Sequence, residues 1–366
     1  MADNNTSPSN EQLVHIFNKQ YESFAQDIGQ CNILLVGKTG VGKSSLLNAV
    51  FTKKLAETGT GKPITQYIKQ YIQPDCPITV YDSPGLELSG EVIQRLKKDV
   101  AALIADKRKL PIENHIHFVW FCINNQSSRL ENAEEEWIKE LAEQKVPVII
   151  VLTQTLNAKH SELLDFIKGL NLPIHDVIPV LAEPLKITND YTIQSHGLGH
   201  LVEVTASILP KVASKAFIAE QKVNVDLKIS EAEKCIKFYA GGAGLAGSPL
   251  SNVFGGFLVA GVQMSMIIHL TYLCGLQFNR AFLLPIYTAC AAVSIPVLIA
   301  LSIPGLDLVE APVGAAMTYF MGQAVLFGYK QYLNQKIGKD EIAKTIIDEY
   351  KQVWDRYKQK LPNTKK

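Results

Sequence analysis

Apolar positions along the chain fall into three patterns. From Glu11 to Gln26, the residues Leu13, Val14, Ile16, Phe17, Tyr21 and Phe24 recur at helical spacing and predict an amphipathic helix. From Cys31 to about Leu209, short apolar runs alternate with helix-patterned stretches. The runs Asn32–Val36, Tyr67–Ile72, Ile78–Tyr81, His117–Ile123, Val146–Leu152 and Val177–Leu181 predict strands. Helical stretches lie between most of them, at Lys43–Val50, Glu91–Ile104, Glu131–Gln144, His160–Leu170 and Leu198–Leu209. Strands that are apolar throughout and separated by helices predict an α/β fold with a doubly wound, mainly parallel sheet. Only Gln73–Pro77 separates two of the runs, so one antiparallel hairpin is expected at the sheet edge.

The third pattern begins after Pro210. Lys211–Lys237 is charged and helix-patterned, and then no Asp, Glu, Lys or Arg occurs until Arg280, nor again until Asp307. Val253–Leu276 and Ala281–Ile303 are each long enough to span a hydrocarbon core roughly 30 Å thick. Leu308–Phe327 is a poorer third span because Glu310 lies near its start. Gly241, Gly242, Gly244, Gly247, Gly255, Gly256 and Gly261 permit close helix packing in lipid. A lipid membrane is therefore an expected partner, with residues 240–330 inserted in it or held tightly against it. Gln263, His269, Pro285 and Pro296 point the other way, to a helical bundle with a buried central hairpin. Lys330–Lys366 returns to a charged amphipathic pattern. The expected division is a tail and helix at 1–28, a nucleotide-binding domain at 29–210 and an all-α hydrophobic domain at 211–366.

A chain of 366 residues exceeds one ordinary core, which agrees with that division. The formal net charge of +1 gives no support for a nucleic-acid surface, and no nucleic-acid partner is expected. The cysteines, Cys31, Cys76, Cys122, Cys235, Cys274 and Cys290, form no C-x-x-C pair and read as small core residues of a reducing compartment. The polar N-terminus lacks an apolar h-region, so no cleaved secretory signal is expected.

The chemistry concentrates at Gly37-Lys38-Thr39-Gly40-Val41-Gly42-Lys43-Ser44-Ser45, which reads G-x-x-x-x-G-K-S-S between a strand and a helix. Glycines there let successive backbone N–H groups and a helix N-terminus face phosphate oxygens. In such a loop Lys43 reaches the β- and γ-phosphates and the Ser44 hydroxyl binds Mg²⁺. Tyr81-Asp82-Ser83-Pro84-Gly85 ends a later strand as D-x-x-G, which places Asp82 at the Mg²⁺ and the Gly85 N–H at the γ-phosphate. Between the two motifs, Glu57–Gln66 is a polar, glycine-rich loop. Thr65, or second to it Thr60, is the expected switch threonine that completes the Mg²⁺ shell.

Together, G-K-T-G-V-G-K-S-S-L-L-N-A-V-F, then G-K-P-I-T-Q, then D-S-P-G-L resemble the Era-like branch of the translation-factor class of P-loop GTPases. The resemblance covers roughly Cys31–Leu209. It implies a cytoplasmic GTP-binding domain with bound GTP or GDP, Mg²⁺, two switch loops and slow hydrolysis to GDP and phosphate. Lys43 and Ser44 then bind phosphate and Mg²⁺, Thr65 is the switch-one ligand, and Asp82 and Gly85 belong to switch two. Two departures matter. The base-reading N/T-K-x-D motif is replaced by Thr153-Gln154-Thr155-Leu156, so Thr153 and Gln154 keep their places while the aspartate is missing. Without that carboxylate, selectivity for guanine is expected to fall. Leu181-Ala182-Glu183 stands where the family has S-A-K, and Ala182 offers a backbone N–H to guanine O6. The second departure is at Leu86, an apolar residue that orients no water, as in Era-like proteins. Gly40 stands where potassium-using members carry Asn, which argues against potassium activation.

Arg129 is a candidate charge stabiliser, in cis or across a homodimer formed through the GTPase domain; a solvated loop arginine is the plainer reading. His115, His117, Trp120 and Phe121 read as core and edge residues, and His160, His175, His196 and His200 show no metal spacing. Ala243–Leu250 and Gln263–Ile267 loosely resemble a glycine-rich hydrophobic domain fused to Era-like GTPases in many bacteria. The whole predicts a nucleotide switch coupled to a hydrophobic module, with a dynamin-like scaffold whose assembly follows the nucleotide as the alternative.

Overall fold

The computed structural model describes residues 9–27, 29–55, 62–63, 65, 67–83, 90–127, 129–157, 161–246, 255–276, 280–301 and 310–358. They form two compact units. One is Ile28–Asn224; the other joins Met1–Asp27 to Val225–Lys366.

The first unit is built on a seven-stranded sheet. Its strands are β1 (Cys31–Val36), β2 (Lys62–Pro63), β3 (Lys69–Ile72), β4 (Ile78–Ser83), β5 (Phe118–Asn124), β6 (Val148–Thr153) and β7 (Asp176–Pro179). Their order is β2-β3-β4-β1-β5-β6-β7. β4, β1, β5, β6 and β7 run parallel, and β3 pairs antiparallel with β4 as the short Gln73–Pro77 turn predicts. β2 adds a further antiparallel edge strand. The central strands are apolar because both faces are covered; every residue of β1 and β6 is buried. One face packs on α3 (Gly90–Arg108), through Leu96, Val100 and Ile104, and on α4 (Asn132–Glu143), through Trp137, Ile138 and Leu141. The chain passes from β1 to β4 on one side and to β5 on the other. That reversal opens a crevice at the carboxyl end of β1, where ligands bind in sheets of this kind.

The end of this unit differs from the expected boundary at residue 210. After α5 (Glu162–Gly169) and α6 (Leu198–Ile208), helix α7 (Lys211–Glu220) lies on the sheet and not in the helical unit. Its Phe217 is fully buried, with ring centroids 5.7 Å from Phe51 and 6.0 Å from Phe118. The following residues are stitched to the end of α2 (Lys43–Val50): Thr52 N–H donates to Glu220 O, and Lys222 N–H to Val50 O.

The second unit contains α1 (Asn10–Asp27), α8 (Val225–Ala246), α9 (Gly255–Leu273), α10 (Arg280–Leu301), α11 (Glu310–Leu333) and α12 (Ile342–Lys358). The N-terminal helix thus belongs to the C-terminal helices. Leu13 and Phe17 of α1 join their core, Gln20 Oε1 accepts from Ser265 at 2.6 Å, and Phe24 packs on His269 and Tyr272. Met264, Ile267, Ile268 and Leu270 of α9 are buried against Ile236, Met321 and Tyr329. Two pairs of polar side chains meet inside: Gln263 donates to Thr318 at 3.2 Å, and Thr271 meets Tyr329 Oη at 2.7 Å.

This arrangement corrects the expectation of transmembrane helices. Among the described residues, no helix is long and apolar enough to cross a membrane. α9 is apolar all round because α1, α8 and α11 pack around it. Gly241 and Gly242, expected at helix contacts, face open space instead, whereas Gly322 of α11 does sit at a crossing. A Cβ on Gly322 would come within 2.8 Å of Ile236 Cγ1 and 2.9 Å of Met266 Sδ. The start of the third predicted span, Leu308, lies outside the described residues.

Candidate nucleotide site

The loop between β1 and α2 has a backbone only glycine readily adopts. Gly40 and Gly42 take φ of 78° and 100°, and Gly42 leads directly into α2. At Gly37 (φ 154°) a Cβ would sit 2.6 Å from Cys122 O, so the loop can pass β5 only without a side chain. Val41 is buried beneath the loop while Thr39 and Ser44 are exposed and Ser45 half-buried. The first N–H groups of α2 therefore sit at the exposed side of the loop, an arrangement that binds anions.

Lys43 crosses under this loop. Its Nζ donates to Gly37 O and, at 3.3 Å, to Lys38 O, and lies 3.9 Å from Asp82 Oδ1. Asp82 is in the adjacent strand, where β1 pairs with β4 and Leu35 faces it. The Asp82 Oδ1 atom is buried without a hydrogen-bond partner. Burial pushes the Asp82 carboxyl above its ordinary pKa, against the opposing pull of Lys43 and Lys69. A buried oxygen acceptor lacking a hydrogen-bond donor, next to the Lys43 that precedes the exposed Ser44, fits a hard oxygen-seeking cation such as Mg²⁺. Among the described residues, no cluster of three or more His, Cys, Asp or Glu offers a metal site of another kind.

Thr65 is half-buried ahead of β3, whose Lys69 pairs with Asp82. Its Oγ1 accepts from the N–H groups of Tyr67 (3.2 Å) and Ile68 (3.1 Å), which fixes the start of the strand. Gly85, Thr60, Leu86 and His160 lie outside the described residues.

At the base side, Thr153 is buried. Its hydroxyl lies 2.6 Å from Val41 O and 3.1 Å from Ile123 O, so it fastens the phosphate loop to the ends of β5 and β6. Gln154, at φ 54°, donates from Nε2 to Gly40 O at 3.3 Å and receives Asn124 Nδ2 and Gln126 Nε2 on its side-chain and backbone oxygens. Ala182 is half-buried beyond β7. Arg129 is exposed. His117 is buried as a core residue; Nδ1 accepts from Asn32 N–H and Nε2 lies 2.9 Å from Ile112 O. A pocket of about 400 Å³ bordered by Arg108, His115 and Lys145 lies at the opposite end of the strands, away from the phosphate loop.

One contact escaped the sequence reading. Lys38 Nζ pairs with Glu131 at 2.6 Å and Glu134 at 3.7 Å; burial, the largest single influence, lowers its pKa, but the two carboxylates together outweigh it and leave the pKa raised. Glu131 and Glu134 form the capping box of α4, so the E-x-x-E spacing before an apolar periodic run was the available signal.

Residues 32–154 match the model of the 50S ribosome-binding GTPase family. GTPase Era of Geotalea daltonii is 29% identical over 184 residues, which are 49% of this chain and 55% of that protein. Translocase of chloroplast 108 of Physcomitrium patens is 41% identical over 58 residues, 15% of this chain and 6% of that protein. A crystal structure of an Aquifex aeolicus Era variant bound to GDP·AlF4⁻ is 17% identical, with a TM-score of 0.34, and the match covers 59% of this chain and 68% of that one. The chain spans about half the length of the curated GTPase Era relatives it matches. With the phosphate loop, Asp82 and the parallel sheet in place, the chain carries an Era-like P-loop GTPase domain followed by a helical region.

Proposed function

We propose that this protein is a guanine-nucleotide switch that hydrolyses GTP slowly to GDP and phosphate and passes the state of its loops to the helical unit. The observation that carries the reading is the convergence of the glycine loop, Lys43 and the unpartnered Asp82 oxygen at the carboxyl end of β1. The backbone N–H groups of Gly37–Ser45 bind the β- and γ-phosphates, and Lys43 offsets their charge. Ser44 and Asp82 hold Mg²⁺, with Thr65 joining when the γ-phosphate is present. Bound there, the ion neutralises charge developing on the phosphates. Thr65 has a competing local role, the two N–H groups it already accepts, so it can leave the site without exposing an unsatisfied backbone. The chain enters the GTPase unit from α1 and leaves it into α8, so both ends of the switch unit are tied to the helical unit. A phosphate-release assay tests this: wild type frees phosphate from GTP above the buffer rate, and Lys43→Ala does not. A wild-type rate equal to buffer contradicts hydrolysis.

A second reading concerns lipid. Phe238 of α8 is 77% exposed beside exposed Gly241 and Gly242. This patch supports peripheral contact with a bilayer surface rather than insertion. Co-sedimentation with vesicles that is equal for wild type and Phe238→Ser would remove this reading.

A further inference from the structure

The base end of the site lacks the carboxylate that should read guanine. Leu156 stands in its place, 38% exposed, with an aliphatic side chain that has no acceptor atom. A carboxylate is nevertheless close along the sheet. β6 and β7 run parallel with Leu152 opposite Pro179. Beyond the paired strands the two chains continue side by side: Val180 N–H donates to Leu152 O at 2.8 Å, and Thr155 N–H to Val180 O at 3.1 Å. Leu156 lies four residues beyond Leu152 and Glu183 four beyond Pro179, so both leave the sheet from the same pair, and the Thr155–Val180 hydrogen bond holds the two loops together past the strand ends.

The loop that carries it is fixed from both sides. Leu181 and His196 exchange two backbone hydrogen bonds of 3.1 Å, and His196 Nε2 lies 3.0 Å from Thr155 O. Gly197, at φ 79°, allows this closeness, since a Cβ there would meet Pro179 O at 2.0 Å. The facing turn is in turn tied to the phosphate loop through Thr153 and Gln154. Glu183 itself is exposed and enters no ion pair among the described residues.

We propose that Glu183 replaces the missing aspartate: its carboxylate accepts guanine N1–H and N2–H, with the Ala182 N–H on O6. This rests on the nucleotide reading above and deepens it to a choice of base. Adenine presents an acceptor at N1, which a carboxylate repels. Inosine keeps N1–H and O6 but lacks the 2-amino group. The affinity order is therefore GTP, then ITP, then ATP, because a hydrogen bond to a charged acceptor is worth more than a neutral one.

The test is competition by GTP, ITP and ATP against a fluorescent GDP analogue on the full chain. Wild type should prefer GTP over ATP by roughly 10- to 100-fold. Glu183→Gln should lose most of that preference and hold GTP and ITP alike, with an unchanged melting temperature because the residue is exposed. Leu156→Asp added to Glu183→Gln should restore the preference. Retained preference in Glu183→Gln overturns the assignment. A wild type that binds GTP and ATP equally overturns it while leaving nucleotide binding intact. Failure of wild type to bind any nucleotide overturns both.

Discussion

The core strands of the sheet and the helices α9 and α11 are both written in largely apolar sequence, yet the two regions use it differently. In the sheet, full burial ends abruptly in polar residues at the strand tips: Val36 leads to the phosphate loop, Tyr81 to Asp82, and Leu152 to Thr153 and Gln154. The apolar run is a rigid stem and the chemistry sits where it stops. In the helical unit the apolar run is the product itself. Gln263 pairs with Thr318 and Thr271 with Tyr329 inside the core, and Gly322 sits at a helix crossing. Apolar length alone therefore does not identify the medium that covers it; the neighbours supply that information.

The two regions should accordingly fail in different ways. The largest effect is expected at Phe217, whose ring fills the sheet face from a helix that sequence had assigned elsewhere. Phe217→Ala should cost about 3–5 kcal/mol of stability of the GTPase unit, read by denaturant unfolding. A loss confined to the helical unit would break the allocation of α7 to the sheet. Next, Lys43→Ala should weaken triphosphate binding by about 100-fold while leaving the melting curve nearly unchanged, because Lys43 contacts only backbone carbonyls and Asp82.

Gly322→Leu should do the reverse. Its side chain meets Ile236 and Met266 at once, so stability falls by about 1–3 kcal/mol while nucleotide affinity stays at the wild-type value. The smallest effect is expected at Asp82→Asn. Mg²⁺-dependent affinity should fall about tenfold, whereas the nucleotide-free protein should melt higher, because the burial cost of the charge is removed.

The same group sets a pH dependence. A carboxyl whose folded pKa is raised holds its proton more tightly in the folded state. Its contribution to stability is present at low pH and disappears as pH rises through the folded value. Mg²⁺ binding needs the ionised form, so affinity should decline on acidification at a higher pH than an ordinary aspartate would give. Titrations at stepped pH on wild type and Asp82→Asn check this, since only wild type should show the decline.

Much of this molecule was legible in its residues. The strands, their parallel order and the phosphate loop follow from apolar runs, short connections and glycine spacing, all local signals. Asp82 was legible because D-x-x-G ends a strand. What local pattern could not reveal was allegiance across the chain. α1 is an amphipathic helix in any reading, but only its pairing with Ser265, His269 and Tyr272 assigns it to the far end of the sequence. α7 looked like the start of the charged helical tail, and only Phe51 and Phe118 draw it onto the sheet. Thr153, expected beside the base, also ties β6 to the phosphate loop, a role no local pattern announces. The membrane-spanning expectation failed for the same reason, since α9 takes its cover from helices distant in sequence.

The central claim is that the glycine loop, Lys43 and Asp82 form one Mg²⁺-assisted nucleotide site. Calorimetric titration of the full chain with GTP, in the presence and absence of Mg²⁺, tests it most directly. The account predicts one site per chain with an affinity that drops when Mg²⁺ is withheld. Absence of binding, or binding indifferent to Mg²⁺, would contradict it.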